Sequence, residues 1–162
     1  MLDEPILSEA SRTLSVLRSR GLTLVTAESC TGGLVAASLT HHAGSSDVVL
    51  GGFVTYSNEM KHRVLGVEMA LFEQVGAVSE AVALAMADGA LRVANSDCAV
   101  SITGIAGPGG GSPGKPVGLV WLAIACRGRA TLAIRHVFAG TRAEVRSQAT
   151  AIALSLLAGC AR

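Results

Sequence analysis

Leu22–Ala27 is a short apolar run that breaks at once into Glu28-Ser29-Cys30-Thr31-Gly32-Gly33, and a second apolar run begins at Leu34. A run of this length closed by glycines reads as a buried strand, and the residues after it keep helical spacing to Leu39. Strand, tight turn and helix in immediate succession constrain the chain to an α/β class, with helices covering a sheet. The turn is rich in hydroxyls and glycine. Such a turn places a reactive oxygen beside a helix N-terminus, where unpaired N–H groups and the helix dipole favour an anion. A second segment, Tyr56-Ser57-Asn58-Glu59-Met60-Lys61, adds a phenol and an amine.

The rest of the chain continues the alternation. Ile6–Arg18 has near-helical apolar spacing and ends at Gly21, Leu22–Ala27 is a strand, and Thr31–His41 is a helix followed by a turn at Gly44. Val48–Tyr56 is strand-like, with Gly51 and Gly52 marking a bulge or a close backbone approach. Asn58–Leu65 and Glu68–Gln74 are short helices, and Ser79 caps a long alanine-rich helix to Val93. Ala99–Ile102 is a strand running into Thr103-Gly104-Ile105-Ala106-Gly107-Pro108, and Gly109–Pro116 is a loop. Val117–Cys126 and Thr131–Phe138 form a hairpin across Arg127-Gly128-Arg129, and Thr141–Leu157 is a closing helix. The expectation is a three-layer α/β/α sandwich around a mixed, mostly parallel sheet, with 1–162 as one domain.

Composition narrows the function. Only 15 % of residues are charged, the net charge is +1, and no basic stripe interleaved with aromatics occurs, so no nucleic-acid partner is expected. No apolar run reaches the roughly 18 residues of a membrane span. The start, Met1-Leu2-Asp3-Glu4-Pro5, is acidic and lacks a secretory n-region, which suggests a cytoplasmic protein. Cys30, Cys98, Cys126 and Cys160 are widely spaced with no Cys-x-x-Cys, so reduced thiols and no metal site are expected. Cys98 and Cys126 read as small core residues, and Cys30 stands beside Ser29. The low charge, with the apolar content of Glu80–Val93, points to a homodimer.

Several residues carry two readings. Ser29 is a helix N-cap or a nucleophile, and a serine nucleophile needs a base within reach. Lys61 is a solvated helix charge or that base, since a desolvated lysine falls below its usual pKa of about 10.4. Tyr56 is a half-buried aromatic or a site group at the carboxyl edge of the sheet, where open α/β proteins bind ligands. Thr103-Gly104-Ile105 repeats the form of a strand end followed by exposed backbone N–H groups, suited to an oxyanion or phosphate. Gly44-Ser45-Ser46 is a turn or a further contact. Arg142 and Arg146 lie i,i+4 on the last helix, as anion clamps or as a solvated face with Glu144.

The blocks Ala27-Glu28-Ser29-Cys30-Thr31-Gly32-Gly33, Gly44-Ser45-Ser46, Tyr56-Ser57-Asn58 with Lys61, Gly76-Ala77-Val78-Ser79, Thr103 to Pro108 and Lys115-Pro116-Val117-Gly118 occur in one order. In this the chain resembles the CinA C-terminal domain family in its stand-alone form, from about Leu7 to Leu157. The resemblance implies hydrolysis of the carboxamide of nicotinamide mononucleotide to nicotinate mononucleotide and ammonia, in pyridine nucleotide salvage, with no cofactor. It implies Ser29 as nucleophile, Lys61 as proton acceptor and Tyr56 as an orienting or relaying group. Backbone N–H groups near Gly32 or Gly104 would hold the oxyanion. Thr31, Gly32, Ser46, Thr103, Gly104, Ile105 and Arg142 would contact the nucleotide. Two positions depart from the family pattern: Gly109 stands where an aspartate is common after Gly-Pro, and Thr141 stands in a Gly-Asp-Arg block. The alternative is a non-catalytic nucleotide-binding or regulatory module of the same fold.

Overall fold

The computed structural model describes residues 2–162. In chain order these form α1 (Glu4–Ser19), β1 (Leu24–Glu28), α2 (Leu34–Thr40), a 3-10 turn (Ser45–Asp47), β2 (Val49–Val54) and α3 (Asn58–Leu65). Then come α4 (Met69–Val75), α5 (Glu80–Ala94), β3 (Cys98–Gly104), β4 (Leu119–Cys126), β5 (Leu132–Val137) and α6 (Arg142–Gly159). The strands form one sheet in the order β2-β1-β3-β4-β5. β1 runs parallel to β2 and β3, while β4 is antiparallel to both β3 and β5, so the sheet is mixed.

Side-chain alternation along each strand builds two cores. Leu24 of β1 and Cys98, Val100 and Ile102 of β3 face α1, α2 and α6, where they meet Leu14, Leu17, Leu39, Val145 and Leu154. Val25, Ala27 and Ala99 face the other way, onto Leu65 of α3 and Val82, Ala83, Met86 and Ala90 of α5. Helices therefore cover both faces. The face of α5 that carries Val82, Ala83, Met86, Ala87 and Ala90 packs against the sheet.

The two glycines of β2 have the expected roles. Leu24 pairs with Val49 but Val25 pairs with Gly51, so Leu50 is an inserted bulge residue. A Cβ at Gly52 would lie 2.6 Å from Thr26 Oγ1 and 3.1 Å from Ala36 Cβ, so glycine lets α2 settle on β1 and β2. Ser79 caps α5 by accepting from the Val82 N–H, as expected, and Ser57 caps α3 through the Met60 N–H. Thr141 and Glu144 form a reciprocal capping box on α6, so threonine supplies the cap in the Gly-Thr-Arg block.

Two expectations fail. α2 starts at Leu34 rather than Thr31, because Gly32 and Gly33 take φ of +60° and +98° to reverse the chain first. Cys126 and Cys160 are joined in a disulfide rather than left as thiols, while Cys30 and Cys98 are free. The last residue of β4 and the end of α6 meet with Cα atoms 6.0 Å apart, within bridging range.

Candidate active site

β1 and β2 are adjacent and parallel, but the chain leaves β1 through α2 on one face and leaves β2 through α3–α5 on the other. A crevice opens at the carboxyl ends of such strands. Ser29 follows β1 there. Tyr56 lies two residues beyond β2, and Lys61 sits on the second turn of α3.

Lys61 Nζ lies 3.0 Å from Ser29 Oγ. It also donates to the carbonyls of Thr55 at 2.9 Å and Tyr56 at 3.4 Å. Lys61 is 1 % exposed and Ser29 9 %, so the amine is dry and the hydroxyl is at the edge of access. Among the described residues no carboxylate pairs with Lys61. Burial accordingly lowers its pKa from 10.5 to about 8. A neutral amine has two N–H groups for the two carbonyls and one lone pair left for the Ser29 hydroxyl proton. Cys30, the neighbour of Ser29, is a core residue, and burial raises its thiol to about 11.

Ser29 is not a helix cap. The N-cap position of α2 is Gly33, and the cap function belongs to the buried Glu28 carboxylate. That carboxylate accepts from the N–H groups of Gly33 (3.0 Å), Val35 (3.1 Å) and Ala36 (2.9 Å), and from the Thr26 hydroxyl. The positive end of α2 is therefore already matched to a resident anion. The expectation that it would receive a substrate anion fails for this reason.

The expected oxyanion donor at Gly32 is also committed, since its N–H donates to Ser29 O at 3.0 Å. The Gly104 N–H, the alternative expected donor, and the Thr31 N–H are not committed in this way among the described residues. The Thr31 N–H has no acceptor among the described residues. In the β3–β4 ladder Ile105 N–H donates to Leu119 O, so alternation turns the Gly104 N–H away from β4, toward the end of β1. The Thr31 peptide is held from behind. Arg146 donates from Nε to Cys30 O (3.1 Å) and from Nη2 to Thr31 O (2.9 Å). Because a peptide is planar and trans, fixing Cys30 C=O aims Thr31 N–H in the opposite direction.

Arg142 spans the mouth, donating to the Tyr56 hydroxyl and to Gly107 O, each at 2.9 Å. Tyr56 is 61 % exposed, so phenol and guanidinium form an open rim. Glu144, considered as a surface partner for these arginines, is committed to Thr141.

The other expected contacts divide. Thr103 is buried and donates its hydroxyl to Ala77 O at 2.8 Å, tying β3 to the loop before α5. Ile105 has both backbone groups bonded across the loop to Leu119 and Gly118, leaving its side chain for contact. The Thr31 hydroxyl is buried without a partner, as is that of Thr55. Ser46 is not brought to the group within this chain. It precedes β2, at the opposite sheet edge, and the strand's rise of about 3.3 Å per residue puts it some 16 Å or more away. Gly109 is exposed, with nothing within 4 Å of where a Cβ would stand. Glu28 escaped sequence reasoning as a structural residue; its signal was an acid at the last position of a buried strand, just before the glycines of the turn.

The chain is similar to known proteins in sequence and fold. The profile described as "CinA C-terminal domain" matches residues 7–161. The Escherichia coli K12 protein named nicotinamide-nucleotide amidohydrolase PncC is 50 % identical over 157 residues, covering 97 % of this chain and 95 % of that one. A putative competence-damage inducible protein of Moorella thermoacetica is 52 % identical over 147 residues, 91 % of this chain but 35 % of that longer protein. The crystal structure of competence/damage inducible protein CihA from Agrobacterium tumefaciens superposes with a TM-score of 0.97 at 44 % identity, covering 100 % of this chain and 99 % of that one. Sequence and fold agree, and the chain belongs to the CinA C-terminal domain family.

Proposed function

We propose that this chain hydrolyses the carboxamide of nicotinamide mononucleotide to nicotinate mononucleotide and ammonia, with Ser29 and Lys61 as the catalytic pair. The observation that carries the reading is a buried amine, 3.0 Å from a reachable serine hydroxyl and without a carboxylate partner. The name of the Escherichia coli relative supports the substrate class.

Ser29 Oγ attacks the carboxamide carbon as Lys61 Nζ takes its proton. The oxyanion so formed meets the N–H groups of Thr31 and Gly104, replacing the expected Gly32 donor. The C–N bond breaks, Lys61 returns the proton to the departing nitrogen, and ammonia leaves. Water then attacks the acyl-serine with Lys61 again as base, releasing the carboxylate product and restoring Ser29. The pyridinium charge of the substrate further disfavours protonated Lys61. Tyr56 and Arg142 orient the nucleotide, with Arg142 the group for its phosphate. Thr103 holds the floor of the site, and the Ile105 side chain lines it.

The test is ammonia release from nicotinamide mononucleotide, followed across pH. kcat/KM is expected to rise to a plateau above an apparent pKa of about 8, as the free enzyme's Lys61 loses its proton. Nucleotide binding without ammonia release would instead identify a non-catalytic module.

The same reading places the enzyme in the cytoplasm as a homodimer. Exposed Leu50 and Val54 on edge strand β2, and Leu132 and Val137 on edge strand β5, support self-association. A monomer in sedimentation at micromolar concentration would refute it.

A further inference from the structure

We propose that Cys98, Cys126 and Cys160, once reduced, form a three-thiolate site for a soft monovalent cation of the copper(I) class. The proposal is independent of the amidase reading. The cluster lies at the opposite sheet edge from Ser29, where Cys98 pairs with Leu24, the first residue of β1.

The three sulfurs lie within 4.8 Å of one another. An ion bound trigonally at about 2.3 Å from each sulfur holds its ligands about 4 Å apart, so side-chain rotation alone can close the set. The ligands come from three packed elements. Cys98 opens β3, Cys126 closes β4 directly opposite it, and Cys160 ends α6. No sequence spacing reveals such a group, because the three cysteines are far apart in the chain and form no Cys-x-x-Cys.

The surroundings select the ion. Cys98 is 1 % exposed and Cys160 5 %, and the cluster borders a cavity of about 370 Å³. Asp97 also lines that cavity, but its carboxylate is held by the Thr23 N–H and hydroxyl and by Arg127. The donor set is therefore sulfur alone, which favours soft ions over magnesium or calcium. Three thiolates around a monovalent cation carry a net charge of −2, and Arg20, Arg127 and Arg129 line the same cavity. Binding through thiolates requires the ion to displace the thiol protons.

The site is gated by oxidation. With Cys126 and Cys160 bonded, Cys98 is the only thiol of the three. A dithiol reductant delivers two electrons and two protons to that bond and becomes a disulfide itself. Copper(I) then replaces the three thiol protons, with no electron transferred.

The experiment uses the whole chain, without oxygen, against the coloured copper(I) complex of bathocuproine disulfonate. The reduced protein is expected to withdraw one equivalent of copper, and the oxidised protein at least tenfold less. Cys98→Ser should weaken binding at least 100-fold, and Cys30→Ser should leave it unchanged. Equal uptake by both redox forms, or unaltered affinity in Cys98→Ser, overturns the proposal. X-ray absorption on the copper-loaded wild type decides the matter even if Cys98→Ser fails to fold. A shell of three sulfurs supports the site, and two sulfurs or nitrogen and oxygen donors refute it.

Discussion

Replacing Lys61 with methionine tests whether the amine is held neutral by burial. Methionine keeps the length and the apolar stem but removes the titrating group. In the folded chain Lys61 titrates near 8, against an ordinary value of 10.5, because the charged form is desolvated. Below 8 both folded and unfolded chains carry the proton, and the folded state bears the full cost of a buried ammonium. As pH rises from 8 to 10.5 the folded state has lost the proton while the unfolded state still holds it, so stability rises. The gap between 10.5 and about 8, at about 1.36 kcal/mol per pH unit, amounts to about 3 kcal/mol. The variant cannot show this rise. Its loss of hydrogen bonds to Thr55 O and Tyr56 O acts at every pH and cancels from the comparison. Urea unfolding of both proteins from pH 7 to 10.5, followed by circular dichroism, should show wild type gaining about 3 kcal/mol relative to Lys61→Met. Parallel profiles would mean that Lys61 titrates normally and would remove the physical basis for its role as base.

Three further substitutions separate structure from chemistry. Ser29→Ala should lower kcat for ammonia release by about 10³-fold or more. It should change unfolding free energy by less than about 1 kcal/mol, because Ser29 caps no helix; normal turnover would exclude it as nucleophile. Glu28→Gln should cost about 2–4 kcal/mol in urea unfolding, since an amide cannot accept from all three N–H groups the carboxylate serves, and an unchanged midpoint would refute that role. Arg146→Ala should lower kcat by about 10–100-fold with KM within about twofold, because the guanidinium holds the Cys30 and Thr31 carbonyls but faces no substrate; a rise in KM alone would make it a binding group.

What the sequence disclosed was local, and what it concealed was tertiary. Ser79 before Glu80 and the short apolar runs at Leu24 and Ala99 announce their structures because capping and the continuous burial of a central strand act over a few residues. The Ser29–Lys61 pair was legible as a possibility, since both segments follow strand ends, and parallel pairing of β1 with β2 brings those ends together. Ser46 was expected from the family resemblance alone, and within this chain it lies at the other sheet edge because it precedes β2, which runs parallel to β1. The Cys126–Cys160 bond joins residues 34 apart, through the packing of α6 on the sheet, and no local rule encodes it. The α2 start was misjudged because a hydroxyl cap was expected where a buried carboxylate does the capping.

The alternation of β1 also explains how an acid and an amine come so close in a small protein without neutralising each other's purpose. Leu24 and Cys30 belong to the core beneath α1, α2 and α6, and the Glu28 carboxylate reaches the α2 amides on the same side. Val25 and Ala27 point into the core beneath α3 and α5, and Ser29 continues that series to meet Lys61, delivered by α3. The sheet thus separates the carboxylate from the amine. A carboxylate on the Lys61 side would hold the lysine protonated by direct attraction and remove its ability to act as a base. On the α2 side the same charge is absorbed by three N–H groups and a helix dipole. One period-two run of residues therefore fixes the nucleophile, isolates its base and anchors the turn between them. A one-residue slip in the register of β1 would exchange Ser29 with Cys30 and bring Glu28 to the wrong face.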